Sequence, residues 1–100
     1  MTSVSLYVEL KAKPGKEDQV AAFLASAQSL VAAEPGTIAW FAVRYDQNTF
    51  AIFDAFDHAE GREAHLAGEV AAALMAHANE LLTTDPQIRK ANVLADKLPS

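Results

Sequence analysis

Apolar and polar residues alternate at the start of the chain and then recur at helical spacing. The alternation runs from Val4 to Lys11 and is typical of a half-buried β-strand, which Pro14-Gly15 ends. From Lys16 to Ala33 the apolar residues recur every three or four positions, which predicts an amphipathic helix ended by Glu34-Pro35-Gly36. The apolar stripe of this helix consists of Val20, Phe23, Leu24, Ala27, Leu30 and Val31.

Two further segments, 37–45 and 49–56, are rich in aromatic and branched residues and are separated by Asp46-Gln47-Asn48. This pattern predicts a β-hairpin. Unusually, both strands are apolar on both faces. Trp40 and Ala42 alternate with Phe41 and Val43, and Phe50, Ile52 and Phe56 alternate with Phe53.

The second half of the chain predicts more helix and a last strand. Asp57 and Glu60 have the spacing of a capping box, so a helix is expected to begin near His58 and to be interrupted at Gly68. Residues 83–87 predict a loop, and residues 88–98 a less regular strand. The apolar stripe beyond Gly68 is formed by Val70, Ala73, Leu74, His77 and Leu81.

The element order is therefore β-α-β-β-α-β, which predicts one α+β domain of the ferredoxin-like class over residues 1–100. Right-handed crossovers give a four-stranded antiparallel sheet with the helices on one face. The other face would then expose a large apolar patch, which soluble monomers seldom keep. A homodimer with sheet facing sheet is the simplest way to cover it.

Composition excludes several classes of function. The chain has no cysteine, which removes disulfides, iron–sulfur clusters and thiol nucleophiles. The net charge is −5 and the basic residues are scattered, so nucleic acid and anionic membranes are poor partners.

The longest uncharged stretch, 19–33, is too short to cross a bilayer, and no secretory leader is evident, so a cytoplasmic protein is expected. The four glycines never cluster, and no Gly-x-Ser-x-Gly turn occurs, so phosphate loops, dinucleotide fingerprints and nucleophile elbows are not predicted.

Three histidines and one aspartate are the candidates for chemistry. His58 is expected at the surface, and spacing alone makes His65 a partly exposed helix residue. His77 shares the second apolar stripe, so it either lies in the core or lines a pocket. The spacing of the histidines does not favour a metal site. Asp54 stands among aromatic residues and either bonds a neighbour at a strand edge or interface, or serves a site.

Three segments resemble the antibiotic biosynthesis monooxygenase family. They are 34–41 (Glu-Pro-Gly-Thr-Ile-Ala-Trp-Phe), 50–56 (Phe-Ala-Ile-Phe-Asp-Ala-Phe) and 63–66 (Glu-Ala-His-Leu). The resemblance implies a dimeric α+β barrel. Some members of the family oxidise quinols or polyketide phenols with molecular oxygen and no cofactor, and others degrade haem. The haem-degrading branch carries Trp at the position of His65, its iron-binding His near Met75 and an Asn near Val8, so these departures count against haem.

The resemblance places the family's helix histidine at His65, which we expect to be the general base, with His77 as its rival. Substrate is expected to contact Trp40, Phe53, Met75 and His77. Trp40 and Phe53 are expected on the helix side of the sheet, although a register slip of one residue would reverse the faces.

The implied function is oxidation of a small phenol or quinol by molecular oxygen, with no cofactor and no metal. The alternatives are a dimer that binds a small hydrophobic molecule without turnover, or another dimeric-barrel enzyme such as a lactone isomerase. Oxygen consumption with hydroquinones discriminates among them.

Overall fold

The computed structural model describes residues 1–99 and has the predicted order of elements. The second helical region is divided at Gly68 into two helices, as the sequence predicts. Among the described residues, no helix is long and apolar enough to span a membrane. The elements are β1 (Val4–Lys11), α1 (Glu17–Ala32), β2 (Thr37–Arg44), β3 (Thr49–Phe56), α2 (Ala59–Leu66), α3 (Glu69–Leu81) and β4 (Gln87–Asn92).

The four strands form one antiparallel sheet in the order β2-β3-β1-β4. β1 pairs in a continuous register with both neighbours, so that Val8 of β1 pairs with Ile52 of β3 on one side and with Ile88 of β4 on the other. The pairing of β2 with β3 has one irregularity, between Thr37 and Ala39. This topology is the ferredoxin-like α+β fold, and the prediction of fold class is confirmed.

The helices cover one face of this sheet, and the core lies between them. The alternating residues of β1 and β3 on that face are buried, since successive side chains of a strand point to opposite faces. The buried residues of the two strands and of the helices above them include Leu6, Val8, Leu10, Phe50, Ile52, Phe56, Val20, Leu24, Leu74, Ala78 and Leu81.

The opposite face, which we call the open face, carries exposed aromatic and aliphatic side chains. Phe41 is 57% exposed, Phe53 41% and Val43 41%. Phe41 and Phe53 are cross-strand partners. The prediction that Phe53 lies on the helix side is therefore wrong: Phe50, Ile52 and Phe56 occupy the core, and the alternation of the strand turns Phe53 away from it.

The last strand is shorter than predicted. β4 ends at Asn92 instead of continuing to Leu98, and all six of its residues are exposed. The chain beyond it is held by the N-terminal segment, where Val93 N–H donates to Ser3 O at 2.9 Å and Thr2 N–H donates to Asp96 Oδ2 at 2.9 Å. Because an exposed edge strand buries few apolar residues, its hydrophobic pattern is too weak to mark its end.

The start of α2 is where the sequence predicts it, but the capping box does not form. His58 is the N-cap residue and makes no side-chain capping bond. The Asp57 carboxylate instead lies 3.7 Å from the amino terminus.

α2 lies in backbone contact with the segment that leads into β2. A Cβ atom on Gly61 would lie 2.8 Å from Gly36 O, and a Cβ on Gly36 would lie 2.9 Å from Gly61 Cα. Two glycines therefore allow an approach that no other residue pair would permit. This approach brings the last turn of α2 beside Glu34 and β3.

Candidate active site

His65 lies in the last turn of α2 and is buried between two carboxylates. It is 7% exposed and is the one buried side chain of α2, whose residues are all described. Its Nδ1 lies 2.6 Å from Glu34 Oε1, and its Nε2 lies 3.1 Å from Asp54 Oδ2. Its ring packs on Phe56, with the ring centroids 5.6 Å apart. The expectation of a partly exposed helix residue is wrong, because α2 directs this position at the sheet.

Glu34 is held at the junction of α1 and β2. Its Oε1 accepts a hydrogen bond from the Thr37 hydroxyl at 2.7 Å. Its Oε2 lies against Gly68, where a Cβ atom would come within 3.1 Å. Since a carboxylate is an acceptor, Glu34 favours a proton on Nδ1 of His65, and the neutral imidazole is then left with Nε2 as its acceptor.

Asp54 lies on the helix face of β3 and is 1% exposed. Its Oδ2 approaches His65 Nε2 off the hydrogen-bond axis, and neither of its oxygens has a hydrogen-bond partner among residues 1–99. The contact with His65 is therefore electrostatic, and the in-plane lone pair of neutral Nε2 is directed elsewhere. A buried carboxylate without hydrogen bonds is costly to the fold and is typical of functional sites.

Trp40 is the cross-strand partner of Asp54, on the helix face of β2. Its indole Nε1 is also buried and has no hydrogen-bond partner within the described part of the chain. We use the name His65 cluster for Glu34, Trp40, Asp54 and His65. It combines a histidine, two carboxylates and an indole, with Phe56 packed on the imidazole and the Thr37 hydroxyl bonded to Glu34.

The carboxylates of the cluster control the titration of His65. Burial by itself would lower the pKa of His65, but the neighbouring carboxylates of Asp54 and Glu34 outweigh the effect of burial. The pKa of His65 is therefore raised above its ordinary value of 6.5. The imidazole is a stronger base than a free histidine, and it becomes available as a base only above this raised pKa.

An open cleft of about 210 Å³ between α1 and the outer edge of β2 borders the cluster. Thr37 and Trp40 contribute to its wall. Trp40 therefore belongs to both the cleft and the cluster, and Thr37 connects the two by donating to Glu34. The cleft is smaller than the pockets that bind drug-sized molecules and suits a small ligand.

The structure brings only some of the predicted site residues together. Trp40 and His65 belong to the cluster, whereas Phe53 lies on the open face and Met75 is 55% exposed on α3. His77 is also exposed, with its ring 6.2 Å from that of Phe23 in the groove between α1 and α3. Of the two alternatives for His77, a place in the core is wrong, and its side chain lines this groove instead. The buried residues of α3 are Val70, Leu74, Ala78 and Leu81, and His77 lies just off that stripe.

Sequence reasoning missed the role of Glu34. The segment Glu34-Pro35-Gly36 indicates the end of a helix, and nothing periodic connects it to His65 across the hairpin. Its place in the segment that resembles the monooxygenase family was the available signal.

The cluster is not arranged as a metal centre. Within residues 1–99 no group of three or more His, Asp or Glu side chains is placed to hold an ion. The two carboxylates approach His65 from opposite ring nitrogens, so they cannot share one ion with it.

The raised pKa of His65 predicts a pH-dependent stability. The pKa of His65 is higher in the folded than in the unfolded state, so protonated His65 stabilises the fold. This contribution is fully present below about pH 6.5 and is lost as the pH rises through the pKa of His65 in the folded state. We expect NMR titration of the imidazole to give a pKa above 6.5, and the free energy of unfolding in urea to fall across that pH interval.

Glu34→Gln removes one of the two charges and should lower the pKa of His65. Glu63→Gln is the matched control, since Glu63 is an exposed carboxylate of α2 that pairs with Lys90 at 3.3 Å. A pKa of His65 at or below 6.5 in the parent protein would contradict this electrostatic account.

Solved structures with the same fold include relatives of varied identity. The NE2512 protein of unknown function from Nitrosomonas europaea is 54% identical, with a TM-score of 0.98 over 100% of this chain and 97% of that one. Rv0793 from Mycobacterium tuberculosis is 17% identical, with a TM-score of 0.84 over 94% and 97% of the two chains. A protein described as an antibiotic biosynthesis monooxygenase is 16% identical, with a TM-score of 0.79 over 92% and 99%. The latter two show the fold alone.

No curated protein is significantly similar to this sequence. A family assignment nevertheless follows from the sequence itself. The sequence model of the family named antibiotic biosynthesis monooxygenase matches residues 3–78, which include β1 to β3, α2 and all four residues of the His65 cluster. The chain belongs to the antibiotic biosynthesis monooxygenase family.

Proposed function

We propose that this protein is a cofactor-independent monooxygenase that oxidises a small phenol or quinol with molecular oxygen, and that His65 is its general base. The observation that carries the proposal is the 2.6 Å contact between Glu34 and His65 Nδ1. It favours the tautomer whose Nε2 can accept a proton beside buried polar groups that have no partner of their own. Membership of the family supports the reaction class.

The first step is deprotonation of the substrate. A phenol that enters from the cleft beside Thr37 and Trp40 donates its hydroxyl proton to His65 Nε2. The resulting imidazolium lies between Glu34 and Asp54, whose charges stabilise it. The arrangement follows the logic of a hydrolase triad, in which a carboxylate orients the histidine and stabilises its protonated form.

The phenolate then supplies the electrons. It is electron-rich enough to reduce oxygen, and a carbon of the ring forms the new C–O bond. One oxygen atom stays on the ring as the carbonyl of a quinone, and the other leaves as water with the two hydrogens that the substrate loses. The substrate provides all four electrons, so the reaction needs no external reductant. Burial of the cluster excludes bulk water from the anion.

His65→Ala should lower the rate of oxygen consumption by about 10²–10⁴-fold, the usual contribution of a positioned acid or base. In the parent protein the rate should rise with pH through the raised pKa of His65, because only the neutral imidazole accepts a proton. Glu34→Gln should shift this rise to lower pH. An oxygen electrode and a panel of hydroquinones provide the measurement.

His58→Gln is the matched control, since His58 is exposed at the start of α2. A His65→Ala protein that is folded and as active as the parent would overturn the assignment of the base. Binding of hydroquinones without oxygen consumption by the parent would favour the non-catalytic alternative. Turnover of lactones without oxygen would favour an isomerase.

We also propose that the active form is a homodimer joined through the open face. The exposed Phe41, Val43 and Phe53 form an apolar surface that soluble monomers rarely keep. A second copy of the same face would cover it, and such an interface should bury more than about 1,000 Å².

Sedimentation of dilute protein should therefore give a dimer of the 10.7 kDa chain. Phe41→Asp should dissociate it, because it places a charge within the apolar surface that the second copy would cover. Leu30→Asp is the control, since Leu30 is exposed on α1, away from the open face. A monomeric parent at micromolar concentration would contradict the proposal.

A further inference from the structure

The indole N–H of Trp40 is the hydrogen-bond donor of the His65 cluster that remains unused. It is buried and has no partner among the described residues. A buried tryptophan N–H normally finds an acceptor, and leaving one unpaired destabilises the fold. Packing alone does not require the N–H, since an apolar side chain could pack against the same core residues without leaving a donor unpaired.

The position of Trp40 connects the cluster with the cleft. Its strand register places it directly opposite Asp54, so the Cβ atoms of the two residues are about 4.5–5.5 Å apart on the same face. Its side chain also contributes to the cleft between α1 and β2. It packs against the apolar core on both sides, which fixes the ring.

The other members of the cluster offer the anion a single donor. Glu34 and Asp54 are acceptors, and the imidazolium of His65 is engaged at Nδ1 and directs only the N–H formed at Nε2 to the phenolate oxygen. An oxygen that becomes negative beside two carboxylates is destabilised unless a donor faces it. Within residues 1–99, the indole N–H is the donor in this cluster that no protein atom occupies.

We propose that Trp40 Nε1–H donates to the oxygen anion of the bound substrate and thereby makes the site selective for ligands that present a phenolate. The inference deepens the proposed function, on which it rests for the reaction. As a binding property it can be tested without turnover. The site would bind aryl ethers more weakly than phenolates, because an ether oxygen cannot ionise and is a weak acceptor.

The test uses 4-nitrophenol, an electron-poor phenol that resists oxidation and whose absorbance reports its ionisation. Bound to the parent protein, it should ionise at lower pH than it does bound to Trp40→Phe. The variant should bind the phenolate about 10- to 100-fold more weakly, the usual effect of losing a hydrogen bond to a charged group. Both proteins should bind 4-nitroanisole equally, because its ether oxygen carries no charge. This comparison also shows that the variant retains its pocket.

A measurement on the parent alone guards against misfolding of the variant. The chain has a single tryptophan, so its indole N–H gives one signal in a ¹H–¹⁵N spectrum. That signal should move downfield on binding of 4-nitrophenolate and should not do so with 4-nitroanisole. Tyr45→Phe is the matched control: it removes a donor from an aromatic residue whose hydroxyl pairs with Tyr7, and should bind like the parent.

The two proposals fail in different ways. An unmoved indole signal, equal phenolate binding by Trp40→Phe, or no phenolate binding at all would overturn the role of Trp40. Oxygen consumption by the parent would then still support the monooxygenase. Phenolate binding through Trp40 without oxygen consumption from any hydroquinone would support this inference and overturn the proposed function.

Discussion

The arrangement of the site depends on one buried imidazole held between two carboxylates. α2 buries no other side chain than His65, so no apolar stripe fixes it to the sheet. The helix is held instead by the contacts of His65 with Glu34 and Asp54, by the close approach of Gly61 to Gly36, and by Arg62, whose Nη1 lies 3.4 Å from Ser5 O. The group that holds the helix is thus the group to which we assign the chemistry.

Because His65 both holds α2 and serves as the base, stability and activity require different protonation states of its imidazole. The carboxylates that attract protonated His65 stabilise the fold and raise the pKa of the imidazole. A general base must be neutral before it accepts a proton, so activity requires the state in which the attachment of α2 is weaker. Stability and turnover are therefore expected to change in opposite directions with pH. Such a trade-off is common where a functional site is built into a marginally stable fold.

Hydrophobic periodicity predicts much of the fold, because the buried residues of α1 and α3 recur at helical spacing and those of β1 largely alternate along the strand. The prediction fails where the residues at that spacing bury little apolar surface and so contribute little to stability, as at the exposed end of β4. The site is less predictable than the fold. Which face of the sheet Phe53 occupies depends on the strand register. The burial of His65 depends on the close approach of Gly36 and Gly61, which are distant in sequence. No periodic pattern connects Glu34 with His65, since the hairpin separates them in the sequence, and only the family resemblance of residues 34–41 gave a signal. The family resemblance indicated His65, but the carboxylate that orients it emerged only from the structure.

The central claim is that Glu34 holds the neutral imidazole with its proton on Nδ1 and leaves Nε2 free to accept one. A long-range ¹H–¹⁵N correlation spectrum of His65, recorded above its pKa, measures the tautomer directly. The account predicts a protonated Nδ1 and an unprotonated Nε2. A spectrum in which Nε2 carries the proton would contradict it, because His65 would then have no acceptor to offer a substrate hydroxyl.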